Sequence, residues 1–171
     1  TITKAHTLCT AFAHDMIYLL APGTGVTNVI TEPATVVLNK AFTFIRGPGR
    51  DVEVKLVGTG DVFDIQSNGI ELSGMRITVT GGGKSGVTVS GADVVGLRNL
   101  WIENPPQDGI EIKVGTNCIV EHCHLYGAGR SGVRVSSGAG SGYYTRILDN
   151  LIRDCASNGV SLLGADASNC I

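Results

Sequence analysis

Charge, aromatic rings and long apolar runs are all scarce in this chain, and each scarcity excludes something. Charged residues make up 16% and the net charge is −2, so no electrostatic footprint for nucleic acid is present. No apolar run approaches the ~18–20 residues of a membrane span; the longest, around Met16–Ala21, is strand-sized. No nucleic-acid or membrane partner is therefore expected. There is no Asn-x-Ser/Thr sequon, which removes one hint of eukaryotic secretion. Cys-x-x-Cys and His-x-x-x-His spacings are missing too, so zinc has no ligand set, and neither a metal nor another cofactor is expected. Five cysteines are an odd number in a fairly long chain, which is not a disulfide framework. Cys118 and Cys123 fall at apolar repeat positions, where a free thiol serves as a small core residue. Cys155, in a turn, is expected to be the more reactive thiol.

What is abundant is glycine: 24 residues, well above the usual ~7%. Four of them open one pattern, glycine–apolar–outward–apolar: Gly86-Val87-Thr88-Val89, Gly109-Ile110-Glu111-Ile112, Gly132-Val133-Arg134-Val135 and Gly159-Val160-Ser161-Leu162. Their starts lie 23, 23 and 27 residues apart. Self-similarity at such a period signals a solenoid. Two further strands align in each repeat. The second carries inward pairs Ile70/Leu72, Val95/Leu97, Cys118/Val120 and Thr145/Ile147. The third carries Met75/Ile77, Leu100/Ile102, Cys123/Leu125 and Asn150/Ile152. Between them the alternation slips by one residue, at Gly74, Asn99, His122 and Asp149, the types most tolerant of a left-handed backbone. One tight bend and two looser turns per coil are expected. Asn150, in an otherwise apolar column, needs a hydrogen-bond partner.

Three short strands in so few residues leave no room for helices between them. Each coil must pair with its equivalents above and below, giving parallel sheets around a dry interior. Val87, Ile110, Val133 and Val160 would form an interior ladder at about 4.8 Å spacing. The extra residues of the longer repeat fall in Ser137-Gly138-Ala139-Gly140-Ser141-Gly142, a loop outside the stack. Ahead of the repeat, Ile2, Ala5, Leu8, Cys9 and Phe12 share a helical stripe over residues 1–13. Thr1 or Thr3 would cap its start, and the helix would cover the open end of the sheets. Met16–Leu20, Val36–Leu38, Phe42–Ile45 and Val52–Val57 read as early strands, with turns at Ala21–Gly25 and Gly47–Gly49. The expectation is one domain over 1–171, with a cap (1–15), irregular first coils (16–61) and regular coils (62–171). Because the chain opens on Thr1 and Ile171 falls in mid-repeat, a longer parent protein is expected.

The units Ser67-Asn68-Gly69-Ile70, Asp108-Gly109-Ile110-Glu111-Ile112 and Asn158-Gly159-Val160-Ser161-Leu162 resemble those of the right-handed parallel β-helix, the pectin-lyase-like family. The opening Met16-Ile17-Tyr18-Leu19-Leu20-Ala21-Pro22-Gly23-Thr24 is similar to the first strand after the helical cap in phage tailspikes, polysaccharide lyases, hydrolases and epimerases. The resemblance implies an all-β, right-handed β-helix of about six to seven three-stranded coils. It also implies a tailspike- or tail-fibre-like module of a phage virion, or an extracellular protein. Such a module would form a homotrimer or contact other virion proteins, and would bind bacterial surface polysaccharide, with depolymerisation as an added activity. The alternatives are a polysaccharide lyase, glycoside hydrolase or epimerase, and a purely structural spacer. One fold hosts many activities. The Asn-Thr-Asp, Gly-His-Gly and Arg-Ile-Lys motifs of polygalacturonase-type enzymes are absent, as is the Asp cluster that would hold a pectate lyase's calcium.

Stacked coils place equivalent residues in columns. On the first strand the outward column is Asp64, Thr88, Glu111, Arg134 and Ser161, with Lys84, Asp108 and Arg130 in the preceding turn. In family enzymes the sugar groove commonly runs there, so Asp64, Asp108, Glu111 and Arg134 are the catalytic candidates, as carboxylates for acid–base cleavage beside an arginine. Mutual neutralisation of Glu111 and Arg134 across adjacent coils is the plainer reading and is preferred. The third strand aligns Arg76, Trp101, His124 and Leu151, then Thr78, Glu103, Tyr126 and Arg153. Arg76, Trp101, Glu103, His124, Tyr126 and Arg153 would bind glycan, with rings stacking on a sugar, or anchor a subunit contact; contact is the preferred of the two. Val94, Ile119 and Leu148 would add apolar surface on the same general side. His122-Cys123-His124 does not converge on a metal, because Cys123 turns inward. Gly81-Gly82-Gly83-Lys84-Ser85 resembles a phosphate loop, but Thr78 replaces its first glycine and a strand follows.

Overall fold

The computed structural model of the chain describes residues 1–20, 28–80, 82, 84–136 and 144–163. The expected turn at 21–25, two glycines of the Gly81–Ser85 loop, the loop at 137–142 and Cys170 lie outside the described residues.

The chain winds through three parallel ladders. The first holds Val36–Leu38, Phe63–Ile65, Val87–Val89, Ile110–Ile112, Ser131–Val135 and Asn158–Leu162. Among the described residues its six strands bound five complete turns, against the six to seven coils expected. The second runs through Met16–Tyr18, Phe44–Arg46, the starts of Glu71–Val79 and Gly96–Glu103, Ile119–Glu121 and Arg146–Leu148. The third takes Asn28–Glu32, Val52–Leu56, the ends of those same two long strands, His124–Tyr126 and Leu151–Arg153. Every pairing is parallel, and the expected register holds: Val87 faces Ile110, Ile110 faces Val133 and Val133 faces Val160. Asn28–Glu32 is a further strand that the repeat does not predict; it lies ahead of the regular coils, where no frame exists to align it.

The inward pairs of the second and third strands are buried as their spacing predicts in the first three repeats, whereas in the last one Thr145 is buried but Ile147, Asn150 and Ile152 are only half-buried. Ile70, Leu72, Met75, Ile77, Val95, Leu97, Leu100, Ile102, Cys118, Val120, Cys123 and Leu125 are all essentially inaccessible. This interior is one continuous apolar column, because each coil can bury its side chains only against its neighbours. The glycines that open the first three repeats, Gly86, Gly109 and Gly132, have a steric reason. A Cβ on Gly109 would lie 2.6 Å from the Gly132 carbonyl oxygen, and one on Gly86 would lie 2.8 Å from that of Gly109. The next coil's backbone occupies the space a side chain would need.

The bends differ from expectation in number. Gly74, Asn99, His122 and Asp149 all have φ between 49° and 65°, as the slipped alternation predicts. A second left-handed column, Phe42, Gly69, Val94, Asn117 and Tyr144, precedes the second strand, and a third, Asn104, Gly127 and Asp154, follows the third strand. Each corner of the coil is therefore a tight one. Phe, Val and Tyr do not advertise positive φ, so the second of these columns is not visible in the sequence.

The helix is also shorter than expected, spanning Ile2–Leu8 with Thr1 as its N-cap. Ile2 and His6 face the stack, while Leu8 and Phe12 are exposed. The stripe through Leu8 and Phe12 fails because Cys9 is already extended and Phe12 is left-handed, its ring on Phe42 at 5.7 Å. The buried Glu32 carboxylate accepts from the Ile2 N–H and from Thr3 Oγ1 at the helix start. Lys40 donates to the carbonyls of Thr7 and Cys9 at its end. Negative charge at the N-terminus and positive at the C-terminus both favour the helix dipole.

Candidate functional site

In the third ladder, strict pairing of equivalent residues brings ring and charge together. Trp101 pairs with His124 and Glu103 with Tyr126 one coil on. His124 pairs with Leu151 and Tyr126 with Arg153 on the next. Because alternate residues of a strand face one side, all six stand outside the stack. The Trp101 and His124 rings are tilted at 40° with centroids 5.7 Å apart. The Arg153 guanidinium carbon sits 5.2 Å from the centre of the Tyr126 ring, within cation–π range.

These side chains line a surface hollow of about 230 Å3. Arg50, from the turn after Gly49, forms another part of its wall and approaches Glu103 at 3.6 Å. Spacing within the repeat does not reveal Arg50, since it belongs to the irregular first coils. Arg76 departs from the expected set: it pairs with Glu53 at 2.7 Å and does not line the hollow. Trp101 is partly exposed, and His124, Tyr126 and Arg153 are exposed. The hollow thus offers flat apolar faces, hydrogen-bond donors and acceptors, and two guanidinium groups against one carboxylate.

The first-ladder column also forms in the expected register, Asp64 to Thr88 to Glu111 to Arg134 to Ser161. Its chemistry is closed off. Asp108 is fully buried; Arg130 takes both its oxygens and the Ser131 N–H donates at 3.0 Å. That bonding raises the Arg130 pKa. Glu111 is 7% exposed, with Arg130 at 3.5 Å, Lys113 at 3.5 Å, Arg134 at 3.8 Å and the Ser136 hydroxyl donating at 3.1 Å. Asp64 accepts from Gln66 Nε2 at 2.6 Å and from Ser90 Oγ. Thr88 and Glu111, outward on the strand, are nonetheless buried, so this column does not stand open to solvent as the alternation suggests.

Val94 and Ile119 lie on the second ladder's side, where with Phe42 and Phe44 they line an apolar hollow of about 260 Å3. That is a different hollow from the one at Trp101. Cys123 is inward and buried, and desolvation pushes its thiol up to about 11. His122 occupies the left-handed bend. Among the described residues no group of three or more His, Cys, Asp or Glu could hold a metal ion. Cys155 is more accessible than the buried Cys118 and Cys123, although burial raises its thiol pKa as well.

A family model described as a right handed beta helix region matches residues 51–171. No curated protein and no solved structure gives a match.

Proposed function

The chain belongs to the right-handed β-helix family, and from that premise we propose that it is a phage tailspike- or tail-fibre-like module that binds bacterial surface glycan through the Trp101 hollow. The observation that carries this reading is the composition of the hollow. Trp101 and Tyr126 supply flat faces for a sugar ring, while Glu103, His124 and the arginines are placed to meet its hydroxyls. The rigid stack fixes their spacing, which limits the entropy lost on binding. The module would act as a trimer or beside other virion proteins.

The test is a bacterial glycan array together with the solution mass of the purified chain. Binding that is lost in Trp101→Ala, by an oligomer, is expected. A monomer that binds no glycan would overturn the proposal.

Subunit contact is the second reading for the same face, favoured by the exposure of Leu151 and Tyr126 beside Trp101. In that case Trp101→Ala lowers the oligomeric mass and leaves glycan binding intact. Depolymerisation has less support from geometry, since Asp64, Asp108 and Glu111 are all engaged in internal bonds.

A further inference from the structure

Arg153 differs from most of the described arginines. Arg46, Arg76, Arg98, Arg130 and Arg134 each have a carboxylate within ion-pair reach. Among the described residues Arg153 has none; its contact is the Tyr126 ring. Stacking covers one face of a guanidinium and leaves its in-plane N–H donors free, and those donors match a carboxylate in a bidentate fork. Across the hollow, Arg50 is more than half exposed and meets Glu103 only at 3.6 Å. The wall therefore carries two guanidinium groups and one carboxylate, a local excess of one positive charge on a chain whose net charge is −2. At about 230 Å3 the space falls below the ~300–1,000 Å3 of sites for drug-sized ligands, which suits one sugar ring rather than several.

We infer that the hollow selects an acidic sugar, one whose ring carboxylate is taken by Arg153 while the ring lies against Trp101 and Tyr126. This rests on the glycan-binding reading and adds the class of residue recognised. The site lies on the third ladder, away from the first-ladder column, whose charged groups neutralise one another. Arg153 sets the choice between acidic and neutral sugars; Trp101 sets whether a ring is held at all.

The experiment compares a glucuronate-containing tetrasaccharide with the same tetrasaccharide after its carboxyl groups have been reduced to alcohols, by calorimetric titration into the full chain. The acidic form is expected to bind about tenfold more tightly, the scale of one hydrogen bond to a charged group. That advantage should shrink as salt is raised. Arg153→Gln should remove the difference between the two forms. Melting of the variant at the wild-type temperature shows that the coil survives. Equal binding of both forms by the wild type overturns the inference and leaves the glycan-binding reading standing. If neither form binds and a bacterial glycan array is also blank, the glycan-binding reading fails and the inference with it.

Discussion

The side chain of Asn150 bridges the backbone on both sides of the bend that precedes Cys123 one coil earlier. Its Oδ1 accepts from the Cys123 N–H at 2.9 Å, and its Nδ2 donates to the Val120 carbonyl at 2.9 Å. The polar intruder in the Met75–Leu100–Cys123 column is thus a clamp across the corner that His122 turns. Asn150→Leu fits the apolar column by shape but strips both partners. A loss of about 1–3 kcal/mol is expected, the cost of leaving a buried donor or acceptor unmet, measured by urea unfolding. A neutral result would mean that the corner does not need the clamp.

Gly109 tests the steric origin of the repeat. Gly109→Ala forces a Cβ against the Gly132 carbonyl oxygen, which belongs to backbone and cannot step aside. Overpacking of this kind costs about 1–3 kcal/mol. Gly91→Ala is the matched control, because nothing lies within 4 Å of its added Cβ, and it should stay within about 0.5 kcal/mol of wild type. Equal melting of the two variants would remove close approach as the reason for the glycine.

Much of this was legible in the sequence, and the reason is the repeat. Once Gly86, Gly109, Gly132 and Gly159 are aligned, every neighbouring residue acquires a side, so the adjacency of Trp101, His124 and Tyr126 follows from counting. The slips at Asn99 and His122 were legible because those residue types tolerate positive φ. Arg50 and the strand Asn28–Glu32 were not, since both precede the regular coils. Nor does outward alternation predict exposure: Glu111 points out of the strand, yet neighbouring side chains, Arg130 and Arg134 among them, enclose it. Period-2 patterning reports the direction of a side chain, not what covers it.

Val94 is a β-branched residue held at φ 58° and 59% exposed. Its neighbours in that corner column, Gly69 and Asn117, are of the tolerant kind. Val94→Asn should raise stability by about 1 kcal/mol through relief of the left-handed conformation, seen as a higher melting temperature. A lower melting temperature would show that the valine's apolar contacts outweigh its strain.

His6 makes the cap sensitive to acid. It is 3% exposed, its Nε2 accepts from the Asn39 N–H at 3.2 Å, and burial, aided by Lys40, lowers its pKa. The folded state holds it neutral, whereas the unfolded chain takes up a proton near pH 6.5. The stabilisation is therefore complete above about pH 6.5 and is lost as pH falls through the depressed folded value. Hydrogen-exchange protection of Ile2–Leu8 should decline on acidification below about pH 6.5. His6→Gln keeps an acceptor for Asn39 but does not titrate, so it should flatten that decline. An unchanged pH profile in the variant would place the sensitivity elsewhere.

Trp101 is the chain's one tryptophan and stands in the wall of the hollow, so its fluorescence reports on occupancy without a label. Titration with the glucuronate-containing tetrasaccharide should give a saturable change in Trp101 emission, weaker with the carboxyl-reduced form. Emission that stays flat while calorimetry detects binding would put the sugar elsewhere on the helix and contradict the assignment of the third-ladder hollow as the site.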